Sequence, residues 1–124
     1  MLQLLKNIFP MPRPLTLLGN TSYPYFIHGV THVGNASFPS GHTATAFGTV
    51  AILSIFTKNK KVSLLYLLAA ILVGYSRIYL GQHFLQDVLA GALIGVPIAL
   101  IVYFVIDNHP SWMEKLELKK MDMD

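Results

Sequence analysis

A histidine and an aspartate four residues apart, His83 and Asp87, form a pair whose spacing is suited to catalysis. At the start of a helix this spacing places both side chains on one face. A carboxylate there accepts a hydrogen bond from one imidazole nitrogen, which fixes the tautomer and leaves the other nitrogen free to attack an electrophile. The pair is therefore a candidate nucleophile with its orienting group.

Three cations can gather around this pair, although the chain is poor in charge. Arg77 lies six residues before His83, across a turn that contains Gly81, so its guanidinium can return toward the histidine. Lys6 and Arg13 lie in an N-terminal segment stiffened by prolines. Converging cations favour a compact polyanion, and phosphate is the one that such groups commonly bind.

A Pro-Ser-Gly-His turn directly precedes an apolar run and adds donors of a different kind. Ser40 is a good N-cap, Pro39 stiffens the chain before it, and Gly41 lets an anion approach the backbone. Free amides at a helix start, together with the helix dipole, bind phosphate oxygens. His42 is placed to protonate a leaving oxygen.

Each of these residues also has a structural interpretation. A single interfacial histidine is more often structural than catalytic, Arg77 could flank a membrane span, and Asp87 could be satisfied inside a helix bundle. His28 and His32 have the i, i+4 spacing of a zinc site, but Gly29 disfavours a helix there. The coincidence of the other groups on one face favours chemistry.

The elements that must position these groups are apolar. The chain has 124 residues, of which 53% are hydrophobic and 12% charged, and no charge occurs between Arg13 and Lys58 or between Lys61 and Arg77. Windows of this kind are typical of membrane spans, whereas a soluble bundle with one buried helix would not have three. We predict an all-α integral membrane bundle of three transmembrane helices, at about residues 41–57, 62–79 and 83–106, plus a short N-terminal helical segment.

The connections between the spans predict an orientation. Residues 15 to 38, rich in Gly, Asn, Ser and aromatic side chains, are expected to form a loop at the membrane surface. The lysines of residues 58–61 mark the loop between the first two spans as cytoplasmic, and the lysines of the tail, residues 107–124, agree. The candidate site then lies on the non-cytoplasmic face. Gly91 and Gly95 form a small-xxx-small pair suited to close helix contact.

Several functions are excluded by composition. The chain contains no cysteine, which excludes disulfides, thiolate catalysis and cysteine-ligated metals. The net charge of +3 is modest and its lysines form no stripe, so no nucleic-acid partner is expected. Asp87 is the one carboxylate on the expected catalytic face, so neither a metal nor another cofactor is expected.

These residues form three motifs of a known family. The chain resembles the type 2 phosphatidic acid phosphatases, or lipid phosphate phosphatases, which share their site with vanadium haloperoxidases and glucose-6-phosphatase. The motif K-x6-R-P is met by KNIFPMPRP, residues 6–14; P-S-G-H is met by residues 39–42; and S-R-x5-H-x3-D is met by SRIYLGQHFLQD, residues 76–87. The resemblance covers the chain from Lys6 to about residue 106.

The resemblance implies a role for each motif residue. His83 attacks phosphorus to form a phospho-histidine, Asp87 orients it, and His42 protonates the leaving group and then helps to activate water. The phosphoryl oxygens are held by the backbone amide of Gly41 and by four side chains, those of Lys6, Arg13, Ser40 and Arg77. The implied substrate is a lipid phosphate or an isoprenoid diphosphate such as undecaprenyl diphosphate, and its hydrolysis needs no metal. The implied protein is a multi-pass protein of the cell membrane.

The resemblance also implies a larger scaffold. Membrane members of the family usually have six spans, with the first motif near the end of the third, whereas this chain begins five residues before Lys6. We therefore expect residues 1–106 to be a membrane domain truncated at its N-terminus and residues 107–124 to be a charged cytoplasmic tail. The missing spans or a homo-oligomer would complete the bundle. The alternative function is a catalytically incompetent fragment or assembly subunit that keeps the phosphate pocket.

Overall fold

The computed structural model describes residues 2–19, 29–30 and 32–108. Within these residues the chain forms helices and no strand, and the expected all-α fold class is confirmed. The expected tail, apart from its first two residues, and His28 lie outside the described residues. The helices are α1 (Leu2–Ile8), α2 (Pro14–Leu18), α3 (Gly41–Phe56), α4 (Lys60–Tyr79) and α5 (Leu85–Asp107).

Helices α4 and α5 are long and apolar enough to cross a membrane, with 20 and 23 residues. Helix α3 contains no Asp, Glu, Lys or Arg, but it has 16 residues and so a length of about 24 Å at 1.5 Å per residue. That is shorter than the roughly 30 Å hydrocarbon core of a bilayer. The outer faces of α4 and α5 expose large apolar side chains such as Leu72 and Leu93, as a lipid-facing surface requires.

The boundaries of these helices follow from local chemistry. The side chain of Ser40 accepts a hydrogen bond from the Thr43 amide at the start of α3, and Asn59 does the same for the Lys61 amide at the start of α4. The lysines of residues 58–61 end the apolar run between the two helices. Part of the segment expected to be a loop, residues 15–38, is instead helical, because Pro14 presets the first turn of α2.

The packing centre of the fold is the contact of α3 with α5, with α4 packed mainly against α3. Glycines bring the two backbones together: a Cβ at Gly91 would lie 2.5 Å from the Ser40 carbonyl oxygen, and one at Gly95 would clash with the Ala44 carbonyl. The expected use of the Gly91 and Gly95 pair for close helix contact is therefore confirmed, and the contact lies within the chain.

The interior at one end of this contact is polar. Buried apolar side chains are few and small among the described residues, whereas five polar ones in or near the second and third motifs are buried, namely Ser37, Ser40, Thr43, His83 and Asp87. Buried polar groups are costly unless they are hydrogen-bonded. This cluster lies where α3 and α5 both begin, and it forms the floor of the candidate site.

Candidate active site

The histidine of the third motif lies before α5 and not within it. Helix α4 ends at Tyr79, Gly81 adopts a positive φ of 63°, and the backbone amide of His83 donates to the Arg77 carbonyl at 3.3 Å. Phe84 is the N-cap of α5. The expectation that His83 and Asp87 share one face of a helix is therefore wrong for His83, which precedes α5, whereas Asp87 lies within it. The turn is what brings the histidine back over the helix start.

Asp87 occupies the first turn of α5, and its side chain hydrogen-bonds back to the backbone of the N-cap residue. Its Oδ2 accepts a hydrogen bond from the Phe84 amide at 2.9 Å, which satisfies a donor that the helix leaves free. The same oxygen lies 3.6 Å from Nδ1 of His83, and both side chains are buried. Asp87 thus faces the histidine because its carboxylate is held at the helix start.

A third group, Ser37, joins this pair. Its hydroxyl donates to Asp87 Oδ2 at 2.5 Å, and its oxygen lies 3.4 Å from His83 Nδ1. The other carboxylate oxygen of Asp87 is buried and has no hydrogen-bond partner among the described residues. Since Nδ1 faces the serine and the aspartate, Nε2 is the imidazole nitrogen left for a substrate.

The Pro-Ser-Gly-His turn is tied to the same helix. The Ser40 amide donates to the Asp87 carbonyl at 2.9 Å, which joins the starts of α3 and α5. The Ser40 hydroxyl is fully buried and engaged with the Thr43 hydroxyl at 2.9 Å. Within the described residues the amides of Gly41 and His42 make no hydrogen bond, so the helix presents two free donors there. The side chain of His42 is exposed.

These groups border a cleft of about 800 Å³. Six of the eight predicted site residues line it, whereas Ser40 and Asp87 lie behind its wall. No carboxylate is among the lining residues, whereas one lysine and two arginines are, so the lining of the cleft is positively charged. The lining residues are Leu2, Lys6, Arg13, His32, Gly41, His42, Thr45, Ala46, Arg77, Gln82 and His83.

The three cations are held by neutral acceptors. Lys6 donates to the Ala36 carbonyl at 2.9 Å, and Arg13 donates to the Gln82 carbonyl at 3.3 Å. Arg77 donates to the Gln82 side-chain oxygen at 2.9 Å. In the part of the chain that the structure describes, none of them forms an ion pair. None of the three is therefore paired with a carboxylate in the described part of the chain, and their charges can attract a negatively charged ligand.

The Lys6 ammonium is also partly removed from water. Burial, and after it the nearby Arg13 guanidinium, lowers the pKa of Lys6 from its ordinary value. A negatively charged ligand would oppose both effects, because it would favour the charged ammonium and raise the pKa of Lys6. Lys6 is thus set up to gain from the binding of an anion.

Sequence reasoning missed Ser37, Thr43 and Gln82. Gln82 accepts from Arg77 through its Oε1 and donates to the Val30 carbonyl at 2.8 Å through its Nε2. The residues stand in or beside the motifs, but their partners lie up to 52 positions away along the chain, and no periodicity marks them. The adjacency of Gln82 to His83 was the one available signal.

The zinc alternative gains no support from the described residues. His32 lines the cleft, and its suggested partner His28 lies outside the described residues. No group of three or more His, Cys, Asp or Glu side chains that could hold a metal ion occurs in residues 2–19, 29–30 and 32–108.

Comparison with known proteins identifies relatives of this chain. A family model described as the PAP2 superfamily matches residues 1–110. Phosphatidylglycerophosphatase B of Bacillus subtilis is 33% identical over 101 residues, which cover 73% of this chain and 47% of that protein. An undecaprenyl-diphosphatase of Sulfolobus acidocaldarius is 42% identical over 81 residues, covering 65% of this chain and 38% of that protein.

A solved structure shares the fold. The crystal structure of Aquifex aeolicus LpxE matches with a TM-score of 0.69 and 39% identity, covering 81% of this chain and 56% of that one. The chain spans about half the length of the curated relatives it matches. Its apolar helices and its bacterial membrane relatives make it a membrane protein. The family match over most of its length confirms the resemblance, and the chain belongs to the PAP2 superfamily.

Proposed function

We propose that this protein is a membrane phosphatase that hydrolyses a lipid phosphate or an isoprenoid diphosphate. The observation that supports this most is the cleft itself, which is lined by Lys6, Arg13 and Arg77 without a carboxylate and has His83 in its wall. Relatives that bear the names phosphatidylglycerophosphatase B, undecaprenyl-diphosphatase and lipid A 4'-phosphatase agree with a lipid substrate that carries a phosphoryl group.

The proposed reaction has two steps. Nε2 of His83 attacks phosphorus, the bond from phosphorus to the leaving oxygen breaks, and His42 gives that oxygen a proton. Water then attacks the phospho-histidine, His42 takes a proton from the water, and the nitrogen–phosphorus bond breaks to release inorganic phosphate. The two steps together return His42 and His83 to their starting protonation.

The other residues act by position and charge. Lys6, Arg13 and Arg77 neutralise the phosphoryl oxygens, and the free amide of Gly41 at the start of α3 adds a donor. The predicted contact of the Ser40 hydroxyl with phosphate would require that hydroxyl to leave Thr43. Stabilisation of this kind dominates catalysis of phosphoryl transfer, so the site needs no further chemical group.

We further propose a place for the site. The lysines of residues 58–61 favour a cytoplasmic loop between α3 and α4, so the cleft would open on the opposite face of a multi-pass cell-membrane protein. A homo-oligomer or further spans would complete the bundle around the exposed apolar surfaces.

The test is phosphate release by the purified chain in micelles. The substrates are phosphatidate, phosphatidylglycerophosphate and a polyprenyl diphosphate, each assayed with EDTA present. We expect release from at least one lipid, abolished by His83→Ala and unchanged in Gln86→Ala, an exposed control in the first turn of α5. Release by His83→Ala at the parent rate would contradict the proposed mechanism.

A second candidate is a membrane module that binds phosphate without turnover. Helix α1, which carries Lys6, buries none of its residues, and the contact of Lys6 with Ala36 is one hydrogen bond across the chain. Errors of about 1 Å in the placement of such a group can cost catalysis heavily. Binding of inorganic phosphate with no lipid hydrolysis would favour this candidate, and turnover by the chain alone would exclude it.

A further inference from the structure

Ser37 is buried in the site but belongs to none of the three motifs. It is fully inaccessible to solvent, and it lies just before the Pro-Ser-Gly-His turn. Its backbone amide donates to the Met11 carbonyl at 3.0 Å, which fixes the residue against the N-terminal segment. The Ser37 backbone is thus fixed by the Met11 carbonyl and its side chain by the Asp87 carboxylate, so the hydroxyl has a defined position in the buried site.

The distances around the histidine place this hydroxyl at a junction. Asp87 Oδ2 lies 3.6 Å from His83 Nδ1, which is too long for a direct hydrogen bond. Ser37 Oγ lies 2.5 Å from that carboxylate oxygen and 3.4 Å from the same imidazole nitrogen. The serine oxygen is therefore the nearer of the two acceptors that Nδ1 faces.

We propose that Ser37 is a positioning residue that connects the nucleophilic histidine to its aspartate. A serine hydroxyl has one hydrogen to donate and two lone pairs that accept. Since the hydrogen goes to the charged carboxylate of Asp87, the serine oxygen can only accept from His83 Nδ1–H. The connection runs from Nδ1–H to the serine oxygen and from the serine hydrogen to Asp87 Oδ2.

This arrangement fixes the tautomer of the histidine. A neutral imidazole carries one hydrogen, and an acceptor at Nδ1 keeps that hydrogen there. The lone pair on Nε2 then faces the cleft, as attack on phosphorus requires. Ser37 moves no proton in this account and does not touch the substrate. The inference rests on the proposed function, in which His83 is the nucleophile.

The first experiment measures steady-state phosphate release for Ser37→Ala, with Ser54→Ala in the last turn of α3 as the matched control. We expect kcat to fall about ten- to a hundredfold, the factor that corresponds to a lost hydrogen bond to a charged group. KM and the inhibition constant of inorganic phosphate should stay within about twofold, because the cations are untouched. Ser37→Thr, which keeps the hydroxyl, should recover most of the lost rate.

A parent-like kcat for Ser37→Ala would overturn the proposal. So would a loss of phosphate affinity equal to the loss of kcat, since a general distortion of the site would produce it. If His83→Ala itself retains turnover, the proposed function fails and not the positioning role alone. The two failures are therefore distinguishable.

The second experiment needs no folded serine variant. Nitrogen-15 spectra of the histidine-labelled parent, with His83 assigned by its absence in His83→Ala, report which ring nitrogen carries the hydrogen. We expect the Nδ1–H tautomer for His83 at a pH where the ring is neutral. The Nε2–H tautomer would overturn the proposal whatever the kinetics of the variants.

Discussion

Replacement of Gly91 by alanine tests whether the contact of α3 with α5 holds the site together. The new Cβ would lie 2.5 Å from the Ser40 carbonyl oxygen, and an ordinary contact begins at 3.4 Å. The two helices would therefore have to separate by about 0.9 Å at that point. The same carbonyl accepts the Ala44 amide in the first turn of α3, so the turn that carries His42 moves with it.

The expected cost follows from this displacement. Overpacking of a tight contact costs about 1–3 kcal/mol, and alanine in a helix gains up to about 1 kcal/mol over glycine. We expect Gly91→Ala to lower the free energy of unfolding by about 1–2 kcal/mol. Because a displacement near 1 Å can cost about a hundredfold in rate, kcat/KM should fall by about ten- to a hundredfold.

Gly74→Ala is the matched control. Its Cβ would meet a methyl group of Val88 at 3.0 Å, and a side chain can move where a backbone carbonyl cannot. We expect this variant to unfold within about 0.5 kcal/mol of the parent, since the small crowding offsets the gain in helix propensity. Each variant replaces one glycine by alanine and leaves the other apolar residues of its helix unchanged, so we expect both variants to insert into the micelle equally well.

The assay combines two measurements on one preparation. Unfolding in mixed micelles with increasing sodium dodecyl sulfate, followed by circular dichroism, gives the difference in free energy between variants. Phosphate release per folded chain gives kcat/KM. If Gly91→Ala is as stable and as active as Gly74→Ala, the two backbones are not in contact at Gly91 and the reasoning is refuted.

Three further predictions concern charge, hydrogen bonding and topology. In Lys6→Arg, the fall of kcat/KM at alkaline pH should move to higher pH. The lowered pKa of Lys6 makes the parent lose this charge at a lower pH than an ordinary lysine would, whereas arginine keeps its charge. An unchanged pH profile would contradict a role for this charge. Gln82→Leu removes the Arg77 acceptor and should raise KM and the phosphate inhibition constant about tenfold, with Gln86→Leu as an exposed control; equal effects of the two variants would refute it. Single cysteines at Asn35 and Asn59 should react with an impermeant reagent from opposite sides of the membrane, and labelling from one side would refute the proposed orientation.

The sequence was sufficient to predict the helices that carry the site. Uncharged windows bounded by Lys58 and Arg77 correspond to α3 and α4, and the spacing of Gly91 and Gly95 predicted a close helix contact without naming α3 as the partner. Periodicity and charge act over short stretches, so these features are visible in a local pattern. The same holds for Ser40 as the N-cap of α3.

The arrangement of hydrogen bonds could not be predicted in this way. His83 lies outside α5 because Asp87 caps that helix through the Phe84 amide, and the geometry of a cap depends on the turn before it. Ser37 reaches Asp87 across 50 positions, so only the folded chain brings them together. Single polar residues of this kind carry no periodic signal.

The central claim, that His83 is the nucleophile, is tested most directly by trapping the phosphoryl group on the protein. The chain is mixed with lipid phosphate labelled in its phosphoryl group and is denatured in alkali, in which a phospho-histidine survives. We expect label on the peptide that contains His83, in an acid-labile form, and none on the His83→Ala chain. Turnover by the parent with label on another residue, or equal labelling of His83→Ala, would contradict it.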